Sequence, residues 1–358
     1  MKYFKNFDFV ILFSILIVST FGLVMVWSLT PSLFNQQLVF LLVGLLLFFI
    51  VSGFDIRIFQ NFSKIIYLFS IFFLFLTFIL GEVTRGSIRW IPIGNYSIQP
   101  SEMVKPLLII FFASLIAGWD KLKIPHLAAI FLLALIPLVL IFKQPDLGSS
   151  LIIAAVLTGI LLGGGITKKP IAGFFVLILM FIPAFWFFLH DYQKSRFLSF
   201  LNPYNDPLGS GYNLIQAVIA VGSGELFGRG LGRGTQSHLA FLPERHTDFM
   251  FASLSEEFGL VGAAIVIMCY LILLFRVLKH AQNSHSKFAS LVCLGVFSML
   301  FFQIFVNIGM NMGIMPITGI PLPFVSYGGS SALATMICFG LVEAAGKFEK
   351  NQEVVEIK

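Results

Sequence analysis

Asp248 lies among titratable and hydroxyl-bearing neighbours in the segment Leu242–Phe249, which reads Leu-Pro-Glu-Arg-His-Thr-Asp-Phe. Thr247 is a residue type that caps helix N-termini, and Asp248 would then be the first helical residue. Asp248 could simply complement the positive end of the helix dipole. It could also act as a general base, because a helix N-terminus would keep its carboxylate ionised and ready to accept a proton.

A lysine stands close to a second predicted helix start, in the segment Gln99–Lys105. Ser101 follows a proline and predicts an N-cap, with Glu102 in the first helical turn. Lys105 then falls one turn inside an apolar helix, where a cation is costly and indicates a functional site. The alternative is a structural i, i+3 ion pair with Glu102, in which the lysine ammonium extends to the membrane interface. The sequence does not decide between these interpretations.

Three further segments are unusual for an apolar chain. Lys143 and Asp146, in Lys-Gln-Pro-Asp-Leu-Gly-Ser, stand at adjoining helix ends and favour a polar cavity over a plain connection. In Gly222–Gly234, glycines and two arginines suggest a flexible pyrophosphate-binding loop, although no preceding strand or Walker sequence supports nucleotide binding. Asn307–Ser331 contains three prolines and a Gly-Gly-Ser-Ser run, which predict irregular backbone that lines a cavity or pathway.

The elements that position these residues follow from the composition. Of the 358 residues, 58% are hydrophobic and 11% are charged, against about 25% charged in an ordinary soluble domain. The long apolar runs exclude a soluble enzyme, a disordered chain and an outer-membrane barrel. Runs of about 20 apolar residues predict membrane helices. The ten predicted spans are Phe9–Trp27, Leu38–Gly53, Ile65–Leu80, Ser101–Ala117, Leu127–Phe142, Leu147–Gly165, Ile171–Leu189, Ala252–Leu278, Phe288–Ile308 and Ser330–Gly346.

The predicted fold class is therefore an all-α polytopic membrane protein with about ten transmembrane helices in a single domain, residues 1–358. Most Lys and Arg residues fall on one side of these spans, so the positive-inside rule places both termini in the cytoplasm. A large extracytoplasmic loop, about residues 190–251, then connects helices 7 and 8. Within this loop, Tyr212–Val221 is apolar but too short to span, and it predicts a re-entrant or interfacial helix.

Other classes of function lack support in the sequence. The net charge of +6 is explained by cytoplasmic loop charge, since no basic cluster with interleaved aromatics indicates nucleic-acid binding. Cys269, Cys293 and Cys338 lie in separate apolar runs without redox or metal spacing. Neither a serine-hydrolase elbow nor a zinc-protease sequence is present.

Three sequence blocks resemble the SEDS family of bacterial membrane proteins, whose members include RodA, FtsW and SpoVE. The blocks are Arg89–Ile91 with Gln99–Lys105, Leu242–Phe249 with Glu256–Gly259, and Thr318–Ser331, which reads Thr-Gly-Ile-Pro-Leu-Pro-Phe-Val-Ser-Tyr-Gly-Gly-Ser-Ser. They occur in the family's order, and the similarity covers nearly the whole chain. The short tails and the sequence Asn-Pro-Tyr-Asn-Asp-Pro from Asn202 make the chain most similar to the RodA members.

The resemblance implies peptidoglycan glycosyltransferase activity. Polymerases of this family join lipid II, a disaccharide-pentapeptide on undecaprenyl pyrophosphate, into glycan strands. The resemblance also implies a class B penicillin-binding protein as partner, together with other membrane proteins of the elongation complex. The site is expected to face outward from the bacterial cytoplasmic membrane. By its motif, Asp248 corresponds to the family's catalytic aspartate.

One carboxylate is enough for this reaction, because a pyrophosphate leaving group needs its charge stabilised and does not need a proton. Asp248 is expected to take the proton of the acceptor 4-hydroxyl, whereas glycosidases use two carboxylates. The pyrophosphate is expected to be stabilised by basic side chains, chiefly Lys105 with Arg89, Arg196 or Arg245. A divalent cation could assist there, although the sequence shows no dedicated metal site. Two alternatives share these features: a lipid II flippase or transporter, and a non-catalytic scaffold of the cell-wall synthesis complex.

The predicted substrate-binding residues come from the unusual segments described above and from the blocks of resemblance. Trp90 could instead be an interface anchor, and Glu257 could be a charge at a helix end. The full set is Arg89, Trp90, Gln99, Ser101, Glu102, Lys105, Lys143, Asp146, Arg196, Glu244, Arg245, His246, Thr247, Glu257, Ser326, Tyr327 and Ser330.

Overall fold

The computed structural model describes residues 7–84, 87–94, 96–165 and 191–356, and most of these residues are helical. Short 3-10 helices at Pro31–Leu33 and Pro203–Asn205 supplement the α-helices. The α-helices are α1 (Phe9–Leu29), α2 (Phe34–Gly53), α3 (Ile56–Asn61), α4 (Ser63–Leu80), α5 (Pro100–Ala117), α6 (Ile124–Lys143), α7 (Leu147–Gly163), α8 (Asp191–Leu201), α9 (Tyr212–Ser223), α10 (Thr235–His238), α11 (Met250–Asn283), α12 (Lys287–Asn311) and α13 (Gly329–Glu356).

Eight of the described helices are long and apolar enough to cross a membrane, namely α1, α2, α4, α5, α6, α11, α12 and α13. The sixth predicted span corresponds to α7, an apolar helix of 17 residues. The seventh predicted span, Ile171–Leu189, lies outside the described residues. Each other predicted span coincides with a helix, because about 20 consecutive apolar residues are a strong signal. The predicted short helix within the long loop is also present, as α9.

Helix α13 forms the centre of the bundle. Its segment Gly329–Gly346 is 94% buried and packs against α2, α5 and α12. Gly340 permits the contact with α2, because a Cβ there would lie 3.0 Å from the carbonyl oxygen of Phe48. Small residues at such contacts allow helix backbones to approach closely. By contrast, only 22% of α6 is buried, so most of its apolar side chains face outward, as expected for contact with lipid.

Aspartates set the start of three helices. The Asp8 carboxylate accepts a hydrogen bond from the Val10 amide at 3.1 Å, at the start of α1. Asp55 does the same for α3, and Asp146 for α7, where it accepts the Ser149 amide at 3.0 Å. Each carboxylate satisfies an amide that the helix itself leaves unpaired.

The all-α fold class is confirmed by the helical bundle, but the connection between α4 and α5 contains strands that the sequence did not predict. This connection is a three-stranded antiparallel sheet of β1 (Glu82–Thr84), β2 (Ser87–Ile93) and β3 (Tyr96–Ile98), with β2 in the middle. Two of the strands, β1 and β3, have only three residues each, too few to show an alternation of apolar and polar residues in the sequence. The sheet packs against α4 and α5, and it positions Arg89 and Trp90 on its central strand.

Helix α11 is broken at Gly259, where φ is 67° and ψ is −165°. The glycine-rich segment, Gly222–Gly234, lies against this break. A Cβ on Gly228, whose φ is +80°, would fall 2.1 Å from the Glu257 carbonyl oxygen, and a Cβ on Gly259 would fall 2.3 Å from the Gly228 nitrogen. These two glycines are therefore required by the close approach of two backbones. Four hydrogen bonds join the segments: Arg229 N–H to Glu256 O (2.9 Å), Gly230 N–H to Glu257 O (3.1 Å), Leu260 N–H to Glu225 O (2.9 Å) and Val261 N–H to Leu226 O (3.1 Å).

Candidate active site at the start of helix α11

Asp248 lies in a turn that immediately precedes α11. The prediction that Thr247 caps the helix and that Asp248 is its first residue is wrong, because α11 begins at Met250. The Thr247 hydroxyl is used inside the turn, where it donates to the Glu244 carboxylate at 3.2 Å. Asp248 is half-buried at this helix end.

Two buried asparagines of α12 hold the main chain of Asp248, and the sequence prediction missed both as site residues. The side-chain amides of Asn307 and Asn311 donate to the Asp248 carbonyl oxygen at 3.2 and 3.1 Å. The Asn311 carbonyl group accepts the Ala252 amide at 3.1 Å, so it caps α11 from the neighbouring helix. Asn307 also donates to the Ile320 carbonyl oxygen at 2.7 Å. Asn307 therefore fixes Asp248 relative to the irregular segment that follows α12.

Replacing Asn307 with alanine is expected to lower the rate of the reaction that uses Asp248, with little effect on KM. The variant leaves the Ile320 carbonyl oxygen without its donor, which costs about 1–3 kcal/mol, and it removes one of the two donors that hold the Asp248 carbonyl oxygen. Gln303→Ala is the matched control, since Gln303 lies one turn away on α12, is 1% exposed, and has a carbonyl Oε1 without a partner among the described residues. Equal loss of turnover in both variants, measured beside thermal unfolding, would reduce Asn307 to a packing role.

The predicted irregular backbone is confirmed for residues 312–328, whereas 307–311 and 329–331 belong to helices. This segment is joined to the turn that carries Asp248. The Ser326 hydroxyl donates to the Thr247 carbonyl oxygen at 2.6 Å, and the Tyr327 amide donates to the His246 carbonyl oxygen at 2.8 Å. The Tyr327 hydroxyl donates to Gln36 Oε1 at 2.7 Å, and burial raises the pKa of this phenol. Ser326 and Tyr327 therefore support the site through its backbone.

Gly319 is the point at which this segment meets Asp248. Its φ is +73°, and a Cβ there would lie 3.5 Å from Asp248 Oδ2 and 3.8 Å from Arg196 Nη1. The Asp248 carboxylate and the Arg196 guanidinium therefore both lie beside the main chain at Gly319, which has no side chain to separate them from it. Arg196 is exposed on α8, and its guanidinium stands 5.8 Å from the centre of the Tyr192 ring. Among the described residues, no acceptor binds the N–H groups of this guanidinium.

Two other predicted phosphate-binding arginines have main-chain acceptors. The Arg89 side chain donates to the carbonyl oxygens of Gln144, at 2.9 Å, and Pro145, at the end of α6. Arg245 donates to the Ser237 carbonyl oxygen at 2.5 Å, at the end of α10. These contacts orient both arginines and satisfy unpaired carbonyl groups. Arg196 therefore has more free donors for an anion than either of them.

Lys105 is only 1% exposed and forms an ion pair with Glu102, which is 4% exposed. The expectation that the ammonium extends to the membrane interface is wrong, because this face of α5 is packed inside the bundle. The i, i+3 ion pair itself is present. Direct contact of Lys105 with a substrate would require this pair to open, so its predicted binding role stays a prediction.

A buried polar network connects α5, α7 and α13. The prediction that Ser101 caps α5 is wrong, because the N-cap residue is Gln99. The Ser101 hydroxyl instead donates to Asp146 Oδ2 at 2.8 Å, and the Gln99 side chain donates to the same oxygen at 3.0 Å. The Gln99 amide donates to Ser330 Oγ at 2.9 Å. Asp146 and Ser330, both predicted as site residues, are thus brought together with Gln99 and Ser101.

Three predicted site residues have other surroundings. Lys143 is exposed in the last turn of α6, and the predicted polar pair with Asp146 is not formed within the described chain. Trp90 is half-buried on β2. Glu257 is 1% exposed and accepts hydrogen bonds from the Ser28 hydroxyl at 2.9 Å and from His238 Nε2 at 2.7 Å. Glu257 is therefore a buried residue that ties α1 and α10 to α11.

The one group of described side chains with metal-ligand spacing is Asp8, His280 and Glu343, near the end of α11 opposite Asp248. Arg276 also forms an ion pair with Asp8, so one carboxylate of this cluster already has a cationic partner. Burial raises the pKa of Asp8, but hydrogen bonds and charge from His280 and Arg276 outweigh it and lower the pKa from 3.8 to about 2. The cluster therefore stabilises the fold above pH 3.8, and this contribution is lost as the pH falls through about 2.

Comparison with known proteins identifies the family. The family model described as "Cell cycle protein", for FtsW, RodA and SpoVE, matches residues 7–351. Peptidoglycan glycosyltransferase MrdB of Escherichia coli K12 is 37% identical over 342 residues, which cover 94% of this chain and 92% of MrdB. Stage V sporulation protein E of Bacillus subtilis is 34% identical over 365 residues, covering 96% and 98% of the two chains.

Solved structures show the same architecture. The crystal structure of Thermus thermophilus rod shape determining protein RodA matches with a TM-score of 0.73 at 28% identity, covering 97% of this chain and 98% of that one. A chain from a structure described as "Structural coordination of polymerization and crosslinking by a peptidoglycan synthase complex" matches with a TM-score of 0.84 at 30% identity, covering 97% and 99%. The chain therefore belongs to the FtsW/RodA/SpoVE family of multi-pass membrane proteins, as its three sequence blocks predicted.

Proposed function

We propose that the protein is a peptidoglycan glycosyltransferase that polymerises lipid II into glycan strands during cell-wall elongation. The name of MrdB, its relative over nearly the whole chain, supports this activity. The observation that carries the proposal is the Asp248 carboxylate beside the Arg196 guanidinium at Gly319. This pair offers one proton acceptor and one anion-binding group, which are the two functions that transfer from a pyrophosphate donor requires.

The proposed reaction is a single displacement. Asp248 accepts the proton of the acceptor 4-hydroxyl, and the oxygen attacks the anomeric carbon of the donor sugar. The bond from that carbon to the pyrophosphate oxygen breaks, and undecaprenyl pyrophosphate leaves with the electron pair. Arg196 stabilises the charge of the leaving group, since a guanidinium binds phosphate oxygens in a bidentate manner. The displacement inverts an α-linked donor to a β-linked product, and the half-buried Asp248 returns its proton to water.

We further propose that both termini are cytoplasmic and that the site faces outward. The basic residues near the helix ends opposite Asp248 support this orientation; they are Lys121, Lys123, Arg276, Lys279 and Lys287. A class B penicillin-binding protein would cross-link the product, and other elongation-complex membrane proteins would join them.

If a divalent cation assists at the pyrophosphate, EDTA is expected to slow polymerisation and added Mg²⁺ to restore it.

Arg196→Gln is expected to slow lipid II polymerisation by about 10- to 100-fold, because a hydrogen bond to a charged group contributes about 1.5–3 kcal/mol. Arg196→Lys is expected to retain part of the rate, since the charge remains but the bidentate geometry is lost. Lys194→Gln is the control, since Lys194 lies on the same helix with its side chain 28% exposed. An Arg196→Gln variant that polymerises as fast as Lys194→Gln would remove Arg196 from the mechanism.

The proposal is tested by giving fluorescent lipid II to the purified protein in proteoliposomes, with its penicillin-binding partner and with cross-linking blocked by a β-lactam. We expect glycan strands that a muramidase digests. A parallel measurement of lipid II translocation separates the flippase alternative, which predicts translocation without strands. The scaffold alternative predicts neither product from the purified proteins.

A further inference from the structure

The break in α11 lies at a definable depth in the membrane. The stretch 258–275 of α11 contains no charged residue, and it stands between Glu257 and Arg276. At ~1.5 Å per residue this stretch is about 27 Å long, close to the roughly 30 Å thickness of the hydrocarbon core. The break at Gly259 therefore falls at the hydrocarbon boundary, at the end of the bundle that carries Asp248.

The glycine-rich segment must reach the same depth. Its carbonyl groups at Glu225 and Leu226 accept the amides of Leu260 and Val261, which the broken helix leaves unpaired. Little water is available at the hydrocarbon boundary to satisfy these amides, so the partner segment has to stay in place beside the helix. The segment is thus held against a membrane-spanning helix by its backbone, and its side chains are placed at that level.

Two neighbouring side chains of this segment, Leu226 and Phe227, are large, apolar and exposed, and they follow the exposed Glu225. Leu226 is 59% exposed and Phe227 is 80% exposed, while Leu260 and Val261 beside them on α11 are 60% and 45% exposed. Scattered exposed apolar residues need no explanation. Here the exposed side chains are continuous with the outward-facing apolar surface of a membrane-spanning helix, which lipid covers.

We propose that Leu226 and Phe227 form a lipid anchor, with both side chains inserted among the acyl chains at the bilayer boundary. The occupant of this surface is phospholipid of the surrounding membrane. The anchor would hold the long segment between α8 and α11 against the membrane, and this segment ends in the turn that carries Asp248. The inference rests on membership of a membrane-protein family and on the contacts with α11, and it does not depend on the proposed enzymatic activity.

The test is site-directed spin labelling of the full chain in nanodiscs of phosphatidylglycerol and phosphatidylethanolamine. Phe227→Cys is the reporter, in a background without the three buried native cysteines. Leu260→Cys is the reference for contact with lipid. Leu208→Cys, at a position 89% exposed in the same long segment, is the reference for contact with water. Power saturation with oxygen and with a water-soluble nickel chelate reports the depth of each label.

We expect the Phe227→Cys label to be relaxed by oxygen far more than by nickel, with a depth parameter near that of Leu260→Cys. A depth parameter like that of Leu208→Cys would overturn the proposal, because the label would then lie in water. Protection from both reagents would also overturn it, because protein and not lipid would cover the residue. If Phe227→Cys does not fold, Leu226→Cys is expected to give the same lipid-like result and tests the proposal equally.

Discussion

Replacing Asp248 with asparagine is expected to abolish lipid II polymerisation while the protein remains folded. Asparagine has nearly the same shape, but it cannot accept the proton of the acceptor hydroxyl. Loss of a general base lowers a rate by about 10²–10⁴-fold. The fold should persist, because Asn307 and Asn311 bind the main-chain carbonyl of residue 248 and not its carboxylate. Initial rates from fluorescent lipid II measure the effect.

Asp191→Asn is the matched control for Asp248→Asn. Asp191 lies at the start of α8 in the same long segment, and its carboxylate is fully exposed. The two variants make the same chemical change, so their thermal unfolding should match that of the unaltered protein. Retained polymerisation by Asp248→Asn, or by Asp248→Ala, would exclude Asp248 as the base. A non-catalytic scaffold would also keep its function in cell-wall synthesis with either substitution.

Breaking the ion pair between Lys105 and Glu102 is expected to have the second large effect, on stability. Lys105→Met leaves the Glu102 carboxylate buried and unpaired, with only 4% of the residue exposed. Removal of one partner of a buried ion pair costs about 3–5 kcal/mol. The double variant Glu102→Gln with Lys105→Met removes both charges and should recover most of this loss. Thermal unfolding in detergent, together with the folded yield, measures the effect.

Lys143→Met controls for the removal of a lysine at an exposed position, and it should leave the thermal unfolding unchanged. If Lys105→Met unfolds at the same temperature as Lys143→Met, the ion pair does not stabilise the bundle. Activity then distinguishes the two roles of Lys105. Loss of polymerisation by a fully folded Lys105→Met would support the predicted role in substrate binding, and parallel loss of activity and folding would support a structural role.

The sequence predicted the features that depend on local pattern. Long apolar runs predicted the spans, since about 20 apolar residues are needed to cross a bilayer. Helices α2 and α4 end where the predicted spans end, but they begin earlier, at Phe34 and Ser63. The spacing of Glu102 and Lys105 predicted their i, i+3 pair as one of two alternatives. Asp248 was selected by its motif and by a predicted helix start, but the helix begins at Met250, and the catalytic role of Asp248 stays a prediction.

The features that the sequence did not predict depend on contacts between distant residues. Asn311 caps α11 through Ala252, which is 59 positions away along the chain. Ser101 on α5 faces Asp146 at the start of α7. Its hydroxyl donates to the Asp146 carboxylate and does not cap its own helix. The approach of Gly228 to Gly259 gives the glycines of that loop a packing role that a loop motif does not reveal. Such pairings become visible only when the helices are placed beside one another.

The most direct test of the central claim is a structure of the Asp248→Asn variant with lipid II donor and acceptor bound. We expect the acceptor 4-hydroxyl to lie within hydrogen-bond reach of the residue 248 side chain, at about 2.6–3.2 Å. We also expect the donor pyrophosphate on Arg196, with both ligands beside Gly319. A 4-hydroxyl placed against another carboxylate, or a pyrophosphate bound away from Arg196 and Gly319, would contradict the proposed mechanism.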